Sequence, residues 1–199
     1  MDKAAMRDFS YGLFVLTARE DSRDNGCIIN TAIQATTDPN RVIIAVNKQN
    51  LTHDMILRTH AFNLSLLSEQ AGFPLFQRFG FQSGRDADKF EGLDTPRTAT
   101  GIRYIPQGTT AWLSCWVEQT VDLGTHTLFI AAVTDGEKLS KEPPMTYAYY
   151  HAHVKPKPQK TEKHGWRCKV CGYVYEGETL PDDFVCPVCK HGADDFEKI

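Results

Sequence analysis

Cys168, Cys171, Cys186 and Cys189 stand as two Cys-x-x-Cys pairs close to the C-terminus. Each pair sets two thiols on one tight turn, and two facing turns make a tetrahedral four-sulfur site. The segment that carries them, residues 166–199, is too small to hold a fold on an apolar core alone, so a metal is expected to hold it. Soft thiolates select iron or zinc and disfavour hard cations. The spacing by itself admits a structural zinc ribbon as readily as an iron site. Disulfide pairing fits less well, because the N-terminus, Met1-Asp2-Lys3-Ala4, lacks the apolar stretch of an export signal.

The wording around the ligands favours iron. It reads Trp166-Arg167-Cys168-Lys169-Val170-Cys171-Gly172-Tyr173, then Leu180-Pro181-Asp182-Asp183-Phe184, then Cys186-Pro187-Val188-Cys189. This segment resembles the rubredoxins, a resemblance that implies an electron-carrying iron and a small aromatic core of Trp166, Tyr173, Phe184 and Phe196. Two departures stand out. Only residues 172–185 separate the pairs, as in the abbreviated domain of rubrerythrins, and Lys190 occupies a position where the family usually has glycine. A glycine there opens the turn and aims backbone N–H groups at sulfur, so the departure bears on redox potential and leaves the ligands as they are.

A chain of 199 residues has room for one medium domain besides this one, and 41% hydrophobic with 24% charged residues is ordinary for a soluble protein. The longest apolar runs, Val42 to Val46 and Leu128 to Val133, are too short to cross a bilayer, so a cytoplasmic protein with reduced thiols is expected. No face concentrates the basic charge that nucleic acid requires. Residues 152–165 carry four lysines, one glutamate and two prolines, the composition of an extended linker. Expected domains are therefore 1–151, the linker 152–165, and 166–199. Residues 166–199 carry four basic and seven acidic groups, a balance that suits docking on a basic patch of a redox partner and equally a merely solvated surface.

The first 151 residues read mainly as strands: Gly12 to Arg19, Arg41 to Val46, Ala111 to Val121 and Thr127 to Thr134. Between Ala111 and Val121, alternation predicts Leu113, Cys115 and Val117 on one face, with Trp112, Ser114 and Trp116 on the other. Thr52 is the predicted cap of a helix over Asp54–Thr59, and Ser68 that of a turn at Glu69–Gln70. Many strands with few helices predict a mainly β barrel, and no Gly-x-Gly-x-x-Gly marks a Rossmann site.

Three polar segments interrupt this framework. Asn30, Thr31 and Ala32 offer an edge able to hydrogen-bond a planar heterocycle. Asn47, Lys48, Asn50, Thr52 and His53 lead into a helix N-terminus and have the chemistry of a phosphate cradle. Phe81, Ser83, Gly84, Arg85 and Lys89 belong to a third segment, with Ser83, Arg85 and Lys89 as further phosphate contacts.

Together with Tyr11-Gly12-Leu13-Phe14-Val15-Leu16-Thr17, Gly124-Thr125-His126-Thr127-Leu128-Phe129 and Tyr147-Ala148-Tyr149-Tyr150, these segments resemble the flavin reductase-like family across residues 6–151. The resemblance implies a split β-barrel that binds FMN at a homodimer interface, with NAD(P)H stacking on the open face of the flavin. It implies a catalytic role for His126, orienting nicotinamide or managing a proton. Where the family often has Gly-Asp-His-Thr, this chain has Gly124-Thr125-His126-Thr127, so the acidic partner is missing. Cys27 and Cys115 are expected to be small buried hydrophobes.

Nicotinamide gives up two electrons at once, a mononuclear iron takes one, and a flavin can bridge the two. A flavin barrel tethered to a rubredoxin resembles the high-molecular-weight rubredoxins. That resemblance implies an electron path from NAD(P)H through FMN and iron to a flavodiiron protein. Two alternatives remain at this stage: a flavin reductase releasing reduced FMN beside a zinc-held docking module, and a non-enzymatic carrier charged by a separate reductase.

Overall fold

An unbroken apolar run needs cover on both faces, and β1 (Phe14–Glu20) has it. In the computed structural model, which describes residues 2–156 and 165–199, Leu16 and Ala18 face one core cluster while Val15 faces another. β2 (Arg23–Ile29), β3 (Ala32–Thr37), β4 (Asn40–Asn47), β5 (Ala61–Leu67), β6 (Thr109–Asp122) and β7 (His126–Lys138) complete an antiparallel sheet in the order β2-β1-β5-β6-β7-β4-β3. β2 and β3 lie at opposite ends of that order, yet only Asn30 and Thr31 separate them in sequence. The sheet therefore curls until its edges meet, and the two strands are one strand bent at the split of a barrel. The fold is mainly β, as the pattern predicts.

The barrel interior is filled by side chains such as Ile44, Val46, Phe62, Leu64 and Phe129, nearly all inaccessible to water. A second cluster outside it joins Val15, Leu67, Phe76, Phe79, Phe90, Met145 and Tyr150 under α2 (Phe73–Gly80). α3 (Tyr147–Tyr149) runs on into a π-helical turn, Tyr150–Val154. Tyr150 packs on Phe76 with ring centroids 4.3 Å apart, and this anchor carries ordered structure past the expected start of the linker at residue 152. Residues 157–164 of that linker lie outside the described residues.

Two details differ from the sequence expectation. α1 (Leu51–Thr59) begins before Asp54, with Asn50 and not Thr52 at its cap position. Thr52 is buried within the first turn, where its hydroxyl accepts from Asn25 Nδ2 at 3.0 Å. A buried hydrogen bond is worth more than a solvent-exposed cap, and it draws the threonine inward. In β6, Trp112 and Ser114 are buried along with Cys115 and Val117, because the stretch before β6 crosses that face. Ser114 Oγ donates to Asn63 Oδ1 at 2.6 Å, and Tyr104 stacks on Trp112 at 5.1 Å. A bulge between Ser114 and Cys115 resets the alternation and leaves Trp116 exposed.

The crossing stretch is tied down by Asp24, whose Oδ2 accepts from Arg97 at 2.6 Å and from Arg103 at 3.1 Å. Burial alone would raise the Asp24 pKa, but hydrogen bonds and charge from the two arginines outweigh it and hold the carboxyl below its ordinary range. A depressed folded-state pKa gives stability that is complete above the unfolded value, about 4, and is lost as pH falls through the folded one. Thermal melts of wild type and Asp24→Asn are expected to differ at neutral pH and to converge in acid.

The C-terminal unit holds a sheet of β8 (Trp166–Cys168), β9 (Val174–Tyr175) and β10 (Phe196–Lys198), ordered β10-β8-β9. Its core gathers Trp166, Tyr173, Tyr175, Leu180, Phe184 and Phe196 around the cysteines. Phe184 lies between Tyr175 and Phe196, with ring centroids 4.8 and 5.3 Å away. Contacts divide the chain into Met1–Lys155 and Pro156–Ile199.

Candidate functional site

β8 ends on Cys168, and the chain turns back so that Gly172 N–H donates to Cys168 C=O at 2.9 Å. The second pair repeats the device: Lys190 N–H donates to Cys186 C=O, also at 2.9 Å. Both turns end in left-handed backbone, φ 82° at Gly172 and φ 62° at Lys190. Lysine at the second position therefore reproduces the glycine conformation and carries its strain. All four Sγ atoms lie within 4.8 Å of one another, with Cys168–Cys189 and Cys171–Cys186 at 3.5 Å. A tetrahedral site with bonds of about 2.3 Å needs sulfurs roughly 3.8 Å apart, so the donor set and its geometry fit one thiophilic ion.

Backbone N–H groups of Val170 and Cys171 point at the Cys168 sulfur, and that of Tyr173 at the Cys171 sulfur. Such bonds stabilise thiolate charge and tune a bound iron. Burial chiefly pushes the Cys168 thiol up; contact with Cys189, then burial, does so for Cys171. A cation reverses both effects, so binding releases protons. Cys168 and Cys186 are buried while Cys171 and Cys189 are half-buried, which makes the latter pair the solvent-facing side of the site. Lys190→Gly is expected to relieve the left-handed strain, with a net gain under about 1 kcal/mol after the added freedom of glycine in the unfolded chain. It is also expected to lower the iron potential by removing a cation beside the centre. Melts and potentials of Lys190→Gly and Lys190→Met separate strain from charge.

In the barrel, the end of β4 gathers most of the predicted cofactor residues. Asn47 pairs with His126 at the start of β7, and Lys48 N–H donates to Thr125 C=O at 3.0 Å. Thr31 Oγ1 donates to Ala45 C=O at 2.6 Å, and Ala32 pairs with Ile44, which brings the Asn30–Thr31 bend to the same strand. Asn50 stands at the cap of α1 without bonding its own helix through its side chain. His126 Nδ1 meets Thr125 Oγ1 at 2.9 Å, so a hydroxyl stands where the family often has a carboxylate. Lys48 Nζ pairs with Asp122 Oδ1 at 2.6 Å, across the turn that carries His126. Amides, a cation, an imidazole and a helix start on one rim suit a heterocyclic phosphate ester such as a flavin nucleotide.

Thr52 and His53 lie beneath this rim, both buried. The His53 ring bridges Asp54 Oδ1 at 3.0 Å and Thr127 Oγ1 at 2.8 Å. Of the third segment, Arg85 reaches the first turn of α1 by its 2.6 Å pair with Asp54, and Ser83 Oγ accepts from Arg85 N–H at 3.1 Å. Gly84 packs so closely on β2 that a Cβ would stand 2.2 Å from Asn25 Oδ1. Phe81 follows α2 and packs on Phe73 at 5.8 Å, away from these partners. Lys89 is not brought to the rim. It is buried, and its Nζ donates to Gly26 C=O at 2.9 Å and Phe79 C=O at 3.0 Å, a structural tie from loop to core. Cys27 and Cys115 are buried, with thiol pKa values raised by desolvation, for Cys115 to about 12. Sequence reasoning gave Asp54 and Asp122 no place in the site and took Thr127 only as part of the His126 motif. The one signal for Asp54 is its position directly after His53.

Two protein families match the chain: the flavin reductase like domain over residues 6–157, and the rubredoxin-like domain of rubrerythrin over residues 166–197. The high molecular weight rubredoxin of Moorella thermoacetica is 38% identical over 229 aligned positions, spanning 100% of both chains. The ferric-chelate reductase (NAD(P)H) of Archaeoglobus fulgidus is 34% identical over 161 residues, 81% of this chain and 95% of that one. Among solved structures, the flavin reductase component BorF of a bacterial two-component tryptophan halogenase superposes with a TM-score of 0.64 at 22% identity. That match covers 73% of this chain and 93% of BorF, and it speaks to the fold. A barrel with this topology, followed by a four-thiol turn pair, fits both matches: the chain belongs to the flavin reductase-like family and carries a rubredoxin-like domain behind its barrel.

Proposed function

We propose that this protein is an NAD(P)H-dependent oxidoreductase that passes electrons through FMN to a four-cysteine iron and on to a redox protein, of the flavodiiron class that reduces oxygen or nitric oxide. The observation that carries the reading is a clustered four-thiol site on the same chain as a flavin reductase-like barrel. When bound, the flavin supplies the step between two-electron and one-electron chemistry. Asn30, Asn47, Asn50 and Lys48 hold and orient it at the rim, and Arg85 and Ser83 approach from the loop after α2. His126 is the candidate catalytic residue: with Nδ1 bonded to Thr125, Nε2 is the nitrogen left to hold or give a proton. Cys168, Cys171, Cys186 and Cys189 hold the iron, and the half-buried Cys171 and Cys189 are the exit side.

A homodimer is part of the reading. On the outward face of β3, β4, β7 and β6, Ile33, Ile43 and Ile130 fall in one cross-strand row, and Ala45, Leu128 and Val121 in another. Ile33 and Val121 are exposed and the rest half-buried, an apolar face that a second copy would cover beside His126. A cytoplasmic setting suits six free cysteines, and no helix among the described residues is long and apolar enough to cross a membrane.

The test is steady-state oxidation of NADH and NADPH by the iron-loaded protein, with FMN at and above one equivalent. Turnover that saturates at one equivalent supports resident FMN. Turnover that climbs with excess flavin over a zinc-loaded centre makes the protein a flavin-releasing reductase. Hydride transfer from neither nicotinamide leaves a carrier charged by another enzyme.

A further inference from the structure

We infer that Asp54 is a positioning residue of the cofactor rim, with one carboxylate oxygen orienting His53 and the other holding Arg85. The inference rests on the proposal that a flavin binds at this rim. Asp54 lies in the first turn of α1, where Oδ1 meets His53 Nδ1 at 3.0 Å and Oδ2 accepts from Arg85 Nη2 at 2.6 Å. An ionised carboxylate only accepts, so His53 must carry its proton on Nδ1. In the neutral ring Nε2 is then an acceptor, and the hydroxyl of Thr127, 2.8 Å away, donates to it. The ring cannot turn out of this arrangement: it is 4% exposed and packs edge-on against Phe129 at 5.7 Å.

One carboxylate thus joins three segments far apart in sequence. Thr127 is the first buried residue of β7 and directly follows His126. Arg85 anchors the loop after α2, which is already fastened by Arg23 Nη2 donating to Gly84 C=O at 2.6 Å. Asn25, against which Gly84 packs, donates in turn to Thr52 in the same helical turn as Asp54. Burial would raise the Asp54 pKa, but hydrogen bonds from His53 and Arg85 prevail and keep it below the ordinary carboxylate range, so the acceptor role persists at neutral pH. Without the carboxylate, Arg85 is a half-exposed arm free to leave the rim, and the tautomer of His53 is no longer dictated. The chemistry at His126 would be untouched, so the effect belongs in flavin affinity and not in the rate of a saturated site.

The experiment combines imidazole 15N NMR and FMN titration on the full-length protein. In wild type, His53 is expected to show Nδ1 protonated and Nε2 bare. Asp54→Asn supplies an amide that donates to Nδ1 and is expected to invert the tautomer, as an acid-to-amide change does beside other oriented histidines. FMN affinity is expected to fall about tenfold or more, with the flavin reduction rate at saturation within roughly twofold. Asp54→Glu is expected to keep the wild-type tautomer and recover most of the affinity, and it carries the test if the amide variant fails to fold. A bare Nδ1 in wild type overturns the inference, as does inversion of the tautomer with unchanged FMN affinity. Failure of wild type itself to bind FMN overturns instead the proposed function.

Discussion

Replacing Cys186 with serine is expected to empty the protein of iron while leaving the barrel folded and able to bind and reduce flavin. Cys186 is fully buried, its sulfur lies 3.5 Å from that of Cys171, and its C=O closes the second turn on Lys190. Serine is a poor ligand for a site that selects soft donors. The C-terminal unit also has little else to hold it: among its described residues the apolar core has four buried side chains, two of them from the ligand cysteines, with a ring of half-buried aromatics. In comparable small domains metal binding supplies on the order of 10 kcal/mol of folding free energy. Cys186→Ser should therefore show near-zero iron by elemental analysis and collapsed amide dispersion for residues 165–199. Its flavin reduction by nicotinamide should stay within about twofold of wild type, since Met1–Lys155 is a separate compact unit. Reduction of the partner protein should drop at least a hundredfold, because the tethered acceptor, present at roughly millimolar effective concentration, is gone. Partner reduction at the full rate would remove the iron from the path.

The second large effect is expected from Ile130→Asp. Ile130 is half-buried at the β7 end of the row formed with Ile33 and Ile43, on the face opposite the barrel interior. Its substitution leaves the core residues Phe129 and Ala131 in place and puts a carboxylate at the middle of the face a second copy would cover. Leaving an unpaired charge in such an interface costs several kcal/mol, enough to dissociate an ordinary dimer at micromolar concentration. Sedimentation should show wild-type dimer and variant monomer, with FMN affinity reduced by about two orders of magnitude if the partner copy completes the site. A dimeric variant with unchanged FMN affinity would place the interface elsewhere.

How much of this was legible in the sequence follows from how far apart the determinants lie. The metal site was readable in full, because ligands, turns and aromatic core sit within one short segment. β1, β4 and β7 were readable as apolar runs, and β6 from its alternation. β2 was not, since it opens on Arg23-Asp24-Asn25, whose polar groups are satisfied by Gly84, Arg97, Arg103 and Thr52 from distant segments. β5 was missed although Phe62, Leu64 and Leu66 alternate with Asn63 and Ser65; those two polar side chains are buried because Thr98 and Ile105, far off in sequence, supply their partners. α2 was not read, although Pro74 marks its start. Lys89 reads as a phosphate contact and is a buried tie, because nothing local reveals the carbonyls of Gly26 and Phe79. Asp54 escaped notice because, beyond the adjacent His53, its partner Arg85 comes from a loop 31 residues on.

The most direct test is an anaerobic titration of the FMN- and iron-loaded protein with NADH, following the flavin and iron absorption together. Two electrons for the flavin and one for the iron require about 1.5 equivalents of NADH per chain. Bleaching of both chromophores, complete near that ratio, is the predicted result. Flavin that bleaches at one equivalent while the metal centre stays unchanged would contradict a connected path from nicotinamide to metal.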